Sequence, residues 1–328
     1  MLDRRELRDT GPIEREFAVF IHTNHKQWIG ALVAAYALRR HTRHPDRFAI
    51  RILHTEDYPF LKEMDGRPFL RDGVERIWRY EDLQSFTPLR FMPPERMGYR
   101  GRAVVIDPDI FAVADIWELL SRQMGDAAIL CRRRSGPKWW LDRCYASSVM
   151  LLNCSKLRHW RCEEQFREMF EFKRDYMDWI GLRKEPAKIG LLEKEWNDFD
   201  RLTERTKMVH NTRRLTQPWK TGLKIDWTPA DRFRLFPPIG WLMRARRRLL
   251  GDHALLGRYR PHPDRRQEWL FFGLLRECLE KGIVTEAELR EEMERDHLRH
   301  DAFQVLSRIP PLGPPENPLA FGELRKAA

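Results

Sequence analysis

The stretch RAVVIDPDIFAVADIWELL, Arg102 to Leu120, decides how this chain is read. Ala103 to Ile106 are apolar in succession and read as a buried strand. Asp107-Pro108-Asp109 ends the run, and apolar residues resume at Ile110. A carboxylate at the end of a buried strand is costly unless it is paired or holds a metal. Aspartates two apart on a strand project to the same side, so Asp107 and Asp109 can share a hard divalent cation that seeks oxygen ligands. Pro108 between them donates no hydrogen bond, which suits the end of a ladder. A phosphatase whose first Asp is the nucleophile expects Thr or Val two residues after the second. Phe111 stands there instead.

Upstream, FAVFIHT (17–23) reads as a buried strand, QWIGALVAAYALRRHT as a helix and FAIRILHT (48–55) as a second strand. Strand, helix and strand in that order make a βαβ unit, so the sheet starts parallel. VERIWRY (74–80) is expected as a third strand and AVVI as the fourth, with the Asp pair at its C-terminal edge. Ligands bind at that edge in open α/β sheets. Downstream, DIWELLSR begins a helix with Asp115 as its N-cap. AAILCRR and YASSVMLLNCSKL read as strands, and CEEQFREMFEFKRDYMDWI as one helix with Phe166, Met169, Phe170 and Phe172 on its apolar face.

The chain has 328 residues, 60 Lys and Arg against 49 Asp and Glu, a net charge of +11 and a pI near 9.6. This excess suits an anionic partner: nucleic acid, an acidic membrane surface or a phosphorylated substrate. A nucleic-acid binder is set aside, because no recognition motif and no aromatic-interleaved basic strand is present. The five cysteines form no CxxC pair, which points to reduced thiols and neither a zinc ribbon nor a disulfide framework. Cys144, Cys154 and Cys162 read as small buried hydrophobes. The charged N-terminus has no apolar signal region, and no run of about 18 apolar residues is present. The expected location is cytoplasmic.

The segment SFTPLRFMPPERMGYRGRAVVIDPDIFAVADIWELL resembles the family 8 glycosyltransferases, whose pattern is an Arg-bearing helix, a Pro, a strand ending in D-x-D and then V-x-x-D-I-x-x-L. YASSVMLLNCSKLRHW is similar to that family's F-N-S-G-V-x-L-x-N strand and turn, and LLEKEWNDFD to its Leu-Pro-x-x-Trp-Asn segment. MVHNTRRLTQPWKTG is similar to its His-x-x-Gly-x-x-Lys-Pro-Trp loop. The resemblance spans residues 17 to 225.

It implies a GT-A type α/β fold: a Rossmann-like, mostly parallel sheet with helices on both faces, plus a C-terminal helical extension. It implies a catalytic domain over 1–236 and a basic, helical extension with a Pro-rich tail over 237–328. The implied activity is metal-dependent transfer of a sugar from a nucleotide-sugar, a UDP-sugar, to a glycan or lipid-linked acceptor, with retention by front-face attack or a covalent intermediate. The alternative is a non-catalytic nucleotide-sugar or glycan binder on the same fold. Asp107, Asp109 and His210 would hold Mn²⁺ or Mg²⁺; an imidazole beside two carboxylates suits Mn²⁺ better than Ca²⁺. Thr23 and Asn24 would meet the nucleotide, and Arg90 the diphosphate or sugar. Gln217 stands where the family has Lys, so Lys220, Arg213 or Arg214 would contact the phosphates. Either Asp175 or Asp178 would be the acidic residue at the donor sugar. Ala146 and Ser148 stand where the family has Asn and Gly. Trp139, Trp140 and Trp219 read as packing residues. The run WLMRARRRLLG (241–251) combines Arg244 and Arg246 to Arg248 with Trp241, Leu242, Met243, Leu249 and Leu250. That pattern suits peripheral association with an anionic inner membrane face.

Overall fold

A computed structural model describes residues 4–8, 11–134, 144–227 and 257–316, together with 241, 242, 245, 249 and 318. Trp139, Trp140, Met243, Arg244, Arg246 to Arg248, Leu250 and the end of the Pro-rich tail lie outside the described residues. The elements in chain order are β1 (Phe17–Thr23), α1 (Trp28–His41), β2 (Ala49–His54), β3 (Pro68–Arg71), β4 (Val74–Ile77), β5 (Arg102–Ile106), β6 (Ile110–Ala112), β7 (Ile129–Arg133) and β8 (Tyr145–Asn153). There follow α2 (Cys162–Phe170), α3 (Tyr176–Ile180), β9 (Ile189–Leu191), β10 (Asp198–Phe199), β11 (Met208–His210), α4 (Arg265–Glu280), α5 (Glu286–Glu294) and α6 (Ala302–Arg308).

The central sheet has the order β2-β1-β5-β8-β7-β9. β1 pairs parallel with β2 and β5, β8 runs antiparallel to β5 and β7, and β9 is parallel to β7. One strand thus opposes the rest, and the sheet is mostly parallel. Both faces are covered, which is why the strands are nearly continuous apolar runs in sequence. Val19, Ile21, Val104 and Ile106 meet α1 and α4 on one face, while Phe20, Val105, Met150 and Leu152 meet α2 and the β3–β4 hairpin on the other. This is the α/β architecture the sequence implied. Helices α4 to α6 share the core of α1 through Phe271, Leu274, Leu289 and Ala302. Among the described residues, no helix is long and apolar enough to cross a membrane.

Three expectations differ in the structure. Val74–Ile77 is a strand, but it pairs with Pro68–Arg71 in a separate hairpin. Asp72 (φ 53°) and Gly73 (φ 69°) make its tight turn, the geometry a two-residue hairpin loop requires. The helix expected through 162–180 breaks into α2 and α3: Phe172 takes φ 58° and is 47% exposed, and Asp175 caps α3 by accepting from Met177 and Asp178. Asp115 accepts from the Trp117 amide but lies one residue before the N-cap of the short helix Trp117–Leu120. All five cysteines are buried and free.

Candidate active site

The Asp pair does not stand on a strand. Asp107, Pro108 and Asp109 form the link between β5 of the central sheet and β6 of a small sheet ordered β10-β11-β6. β6 pairs antiparallel with β11, with Ile110 opposite His210. The Asn211 amide donates to the Asp109 carbonyl. This pairing carries His210 across the intervening hundred or so positions of sequence to the carboxylates. Ligand atoms of Asp107, Asp109 and His210 all lie within 4.8 Å of one another.

Each member is oriented by neighbours. Arg90, in the turn Thr87–Phe91, donates through Nη2 to both Asp107 oxygens at 2.6 and 2.8 Å and through Nη1 to Ser147 Oγ at 2.7 Å. His22 Nε2 lies 2.9 Å from Asp107 Oδ1. Burial alone would raise the Asp107 pKa, but the Arg90 charge, with His22, outweighs it and holds the carboxyl well below the usual range. Burial lowers the pKa of His22, against the pull of Asp107. On the other side, Gln217 Nε2 donates to Asp109 Oδ2 at 3.2 Å. Asn197 Nδ2 donates to Ser148 Oγ at 2.9 Å, which turns its Oδ1 toward His210 Nδ1, also 2.9 Å away. In the neutral ring Nδ1 then carries the proton and Nε2 keeps its lone pair. That lone pair faces Asp109 Oδ1 at 3.3 Å, and this buried oxygen has no hydrogen-bond partner. Two acceptors facing each other repel unless a proton or a cation lies between them. A ring nitrogen fixed by a carbonyl-type acceptor behind it is the usual support of a metal-bound imidazole.

The three residues open onto a cavity of about 480 Å³, whose wall includes Arg71, Arg90, Arg134, Ser147, Tyr176 and Arg214. Part of this wall is a bulge. The β7–β8 register jumps from Cys131↔Met150 to Arg132↔Ala146, so Ser147 and Ser148 have no partner on β7 and turn to the site.

No protein-family model and no curated protein matches the chain. Among solved structures, the chain is similar to galactosyltransferase LgtC in complex with donor and acceptor sugar analogs, at 12% identity over 62% of this chain and 89% of that one, with a TM-score of 0.43. It is similar to glycosyltransferase GlyE of Streptococcus pneumoniae TIGR4 at 15% identity, over 81% of this chain and 64% of that one, with a TM-score of 0.43. It is also similar to mouse xyloside xylosyltransferase 1 at 13% identity, over 60% and 98%, with a TM-score of 0.39. At these scores the likeness assigns no residue and no reaction to this chain.

The structure brings Asp107, Asp109, His210 and Arg90 to the cavity, and Arg214 with them. The other nominated residues have different surroundings. Thr23 is fully buried and its hydroxyl meets the Asn24 carbonyl. The Asn24 side chain is bound to the loop 82–85 through Asp82, Leu83 and Ser85. Lys220 is fully buried against Asp226 at 2.7 Å, and Arg213 is exposed beside Asp200. Asp175 caps α3 and accepts from the Gly73 amide at 2.7 Å, docking the hairpin, while Asp178 pairs with Arg183 and Lys184. The sequence reading did not nominate His22, Asn197 or Gln217. Asn197 stands in the Trp-Asn segment already singled out, and His22 is the last but one residue of the first strand; either position was a usable signal.

Proposed function

We propose that the protein is a metal-dependent glycosyltransferase that moves a sugar from a UDP-sugar to a glycan acceptor with retention, its catalytic machinery lying in residues 1–236. The observation that carries this reading is the pair of facing acceptors, His210 Nε2 and Asp109 Oδ1, 3.3 Å apart with Asp107 beside them. That donor set, one imidazole and two carboxylates, fits Mn²⁺ or Mg²⁺. The bound ion would neutralise the donor diphosphate and stabilise charge on the leaving nucleotide. The protein's own residues do the rest. Arg90 keeps Asp107 ionised and aimed, Gln217 restrains Asp109, and Asn197 sets the His210 ring. Arg214, on the cavity wall, is the phosphate contact in place of the family's Lys, since Lys220 is committed to Asp226. Asp107 and Asp109 are the carboxylates of the described wall, and both serve the ion. The basic run after Pro237 would hold the enzyme at an anionic membrane, checked by co-sedimentation with anionic but not neutral vesicles.

Calorimetric titration of UDP tests the site. UDP should bind with Mn²⁺ present and lose about tenfold or more in affinity with EDTA. Asp109→Asn and His210→Ala should each raise the Mn²⁺ requirement by a similar factor. Equal UDP affinity with and without metal would overturn the metal assignment. Metal-dependent binding without any release of UDP from UDP-sugars would leave a binding protein.

A further inference from the structure

The cavity holds more positive charge than the donor needs. Its described wall carries Arg71, Arg90, Arg134 and Arg214 against the two carboxylates Asp107 and Asp109. A divalent ion would add two positive charges and the diphosphate of a nucleotide-sugar two negative ones, so the loaded cavity keeps its cationic excess.

Arg90 is committed to Asp107. Arg71 and Arg214 instead lie against rings: the Arg71 guanidinium is 4.8 Å from the Tyr176 ring centroid, and that of Arg214 is 5.2 Å from Trp227. Among the described residues neither forms an ion pair. The two guanidiniums are close enough to oppose one another. Burial lowers the Arg214 pKa, Asp82 counters it, and Arg71 lowers it further, with Asp109 also within reach. Arg214 and Arg71 thus line one cavity with Asp107 and Asp109, and each guanidinium acts against the other's charge. Like charges at a half-buried wall are unfavourable without an anion between them.

Arg71 is also held in a rigid frame. It ends β3 beside the tight turn at Asp72 and Gly73, and Asp175 ties that turn to the first residues of α3, so that Tyr176 lies beneath the guanidinium. Arg134 follows β7 on the same wall. A guanidinium that lies over a ring and has no ion-pair partner among the described residues keeps donors with which it can grip a phosphate or carboxylate.

We propose that the acceptor is an anionic sugar whose phosphate or carboxylate group is received by Arg71, with Arg134 assisting, beyond the diphosphate held at Arg214 and the metal. This rests on the glycosyltransferase reading above. The full-length protein, loaded with UDP and Mn²⁺, would be titrated with glucose, galactose and mannose, with their 6-phosphates and with their uronic acids. At least one anionic form should bind about tenfold tighter than its neutral parent. Preference for the 6-phosphate or the uronate identifies the anion. Arg71→Gln should abolish the preference while UDP affinity stays within about twofold, and Arg71→Lys should restore part of it. Retained UDP binding shows that the variant is folded. Equal binding of neutral and anionic sugars would overturn the proposal. So would an Arg71→Gln variant that loses UDP and sugar alike, which would return Arg71 to the donor. Failure of UDP itself to bind, seen before any sugar is added, would instead sink the donor reading.

Discussion

Arg90 and Asp107 face each other largely out of water, their side chains 9% and 15% exposed. Removing one partner of such a pair leaves an uncompensated charge and costs about 3–5 kcal/mol, whereas replacing both by apolar groups costs far less. Arg90→Met should therefore lower the unfolding free energy in urea by about 3 kcal/mol, and adding Asp107→Leu should recover most of it. A double variant no more stable than the single one would mean that Arg90 does not act through its charge. His41 sets a different dependence. Its Nδ1 lies 2.8 Å from the Ala37 carbonyl and its Nε2 3.2 Å from Arg40 Nη1, the arrangement of a neutral ring. Burial lowers its pKa to about 4. The unfolded imidazole takes a proton below about 6.5, the folded one only below about 4. Stability from this group is complete above the unfolded value and falls as the pH drops toward the folded one. It amounts to about 2 kcal/mol lost by pH 5. His54, also lowered to about 4 by burial, has the same sign. Urea titrations at pH 7.5 and 5 should show a smaller loss in His41→Gln than in the natural protein, and parallel losses would rule out this assignment.

At the scale of elements, the site depends on how closely a helix approaches a turn. A Cβ on Gly30 of α1 would lie 2.8 Å from the Pro108 carbonyl oxygen, a contact with backbone that cannot swing aside. Gly30 is thus the residue that lets the Asp-Pro-Asp link settle onto the helix. Gly30→Ala raises helix propensity by up to about 1 kcal/mol, but overpacking costs about 1–3 kcal/mol. The net change in stability should be small, while the shifted link should weaken Mn²⁺-dependent UDP binding about tenfold or more, read by calorimetry. Unaltered binding would show that the link can move without disturbing the carboxylates.

Across the whole molecule, the chain beyond residue 257 braces the His210 loop from behind. Trp219, two residues after Gln217, stacks on Phe271 of α4 with ring centroids 4.8 Å apart, and Phe111 of β6 meets both rings edge-on. The Arg299 amide donates to the Trp219 carbonyl at 2.8 Å, and Asn211 donates to Gln267 of α4. Phe271→Ala should cost about 3–5 kcal/mol and, through Trp219 and Gln217, also lower UDP affinity. Leu289→Ala on α5 removes a residue of the same core and should destabilise without changing affinity. Equal effects of the two on binding would mean that the brace acts only through global stability.

The sequence alone determined the strands with their near-continuous apolar runs, because burial on both faces leaves no polar alternation, and the long first helix, whose apolar spacing is unbroken. It also determined that Asp107 and Asp109 are exceptional, since two carboxylates next to a buried run demand a partner. Tertiary structure decided the rest. Strand pairing, a long-range choice, put Val74–Ile77 in a separate hairpin and set His210 opposite Ile110. A left-handed residue at Phe172 broke a helix whose apolar spacing ran straight through it. Charge pairing chose among chemically equivalent candidates: Lys220 went to Asp226 and Asp175 to the Gly73 amide, and Arg214 reached the cavity. Residue type says what a side chain can bind. Only the packed fold says which partner lies within a few ångströms of it, and at that range a charge takes its nearest counterpart.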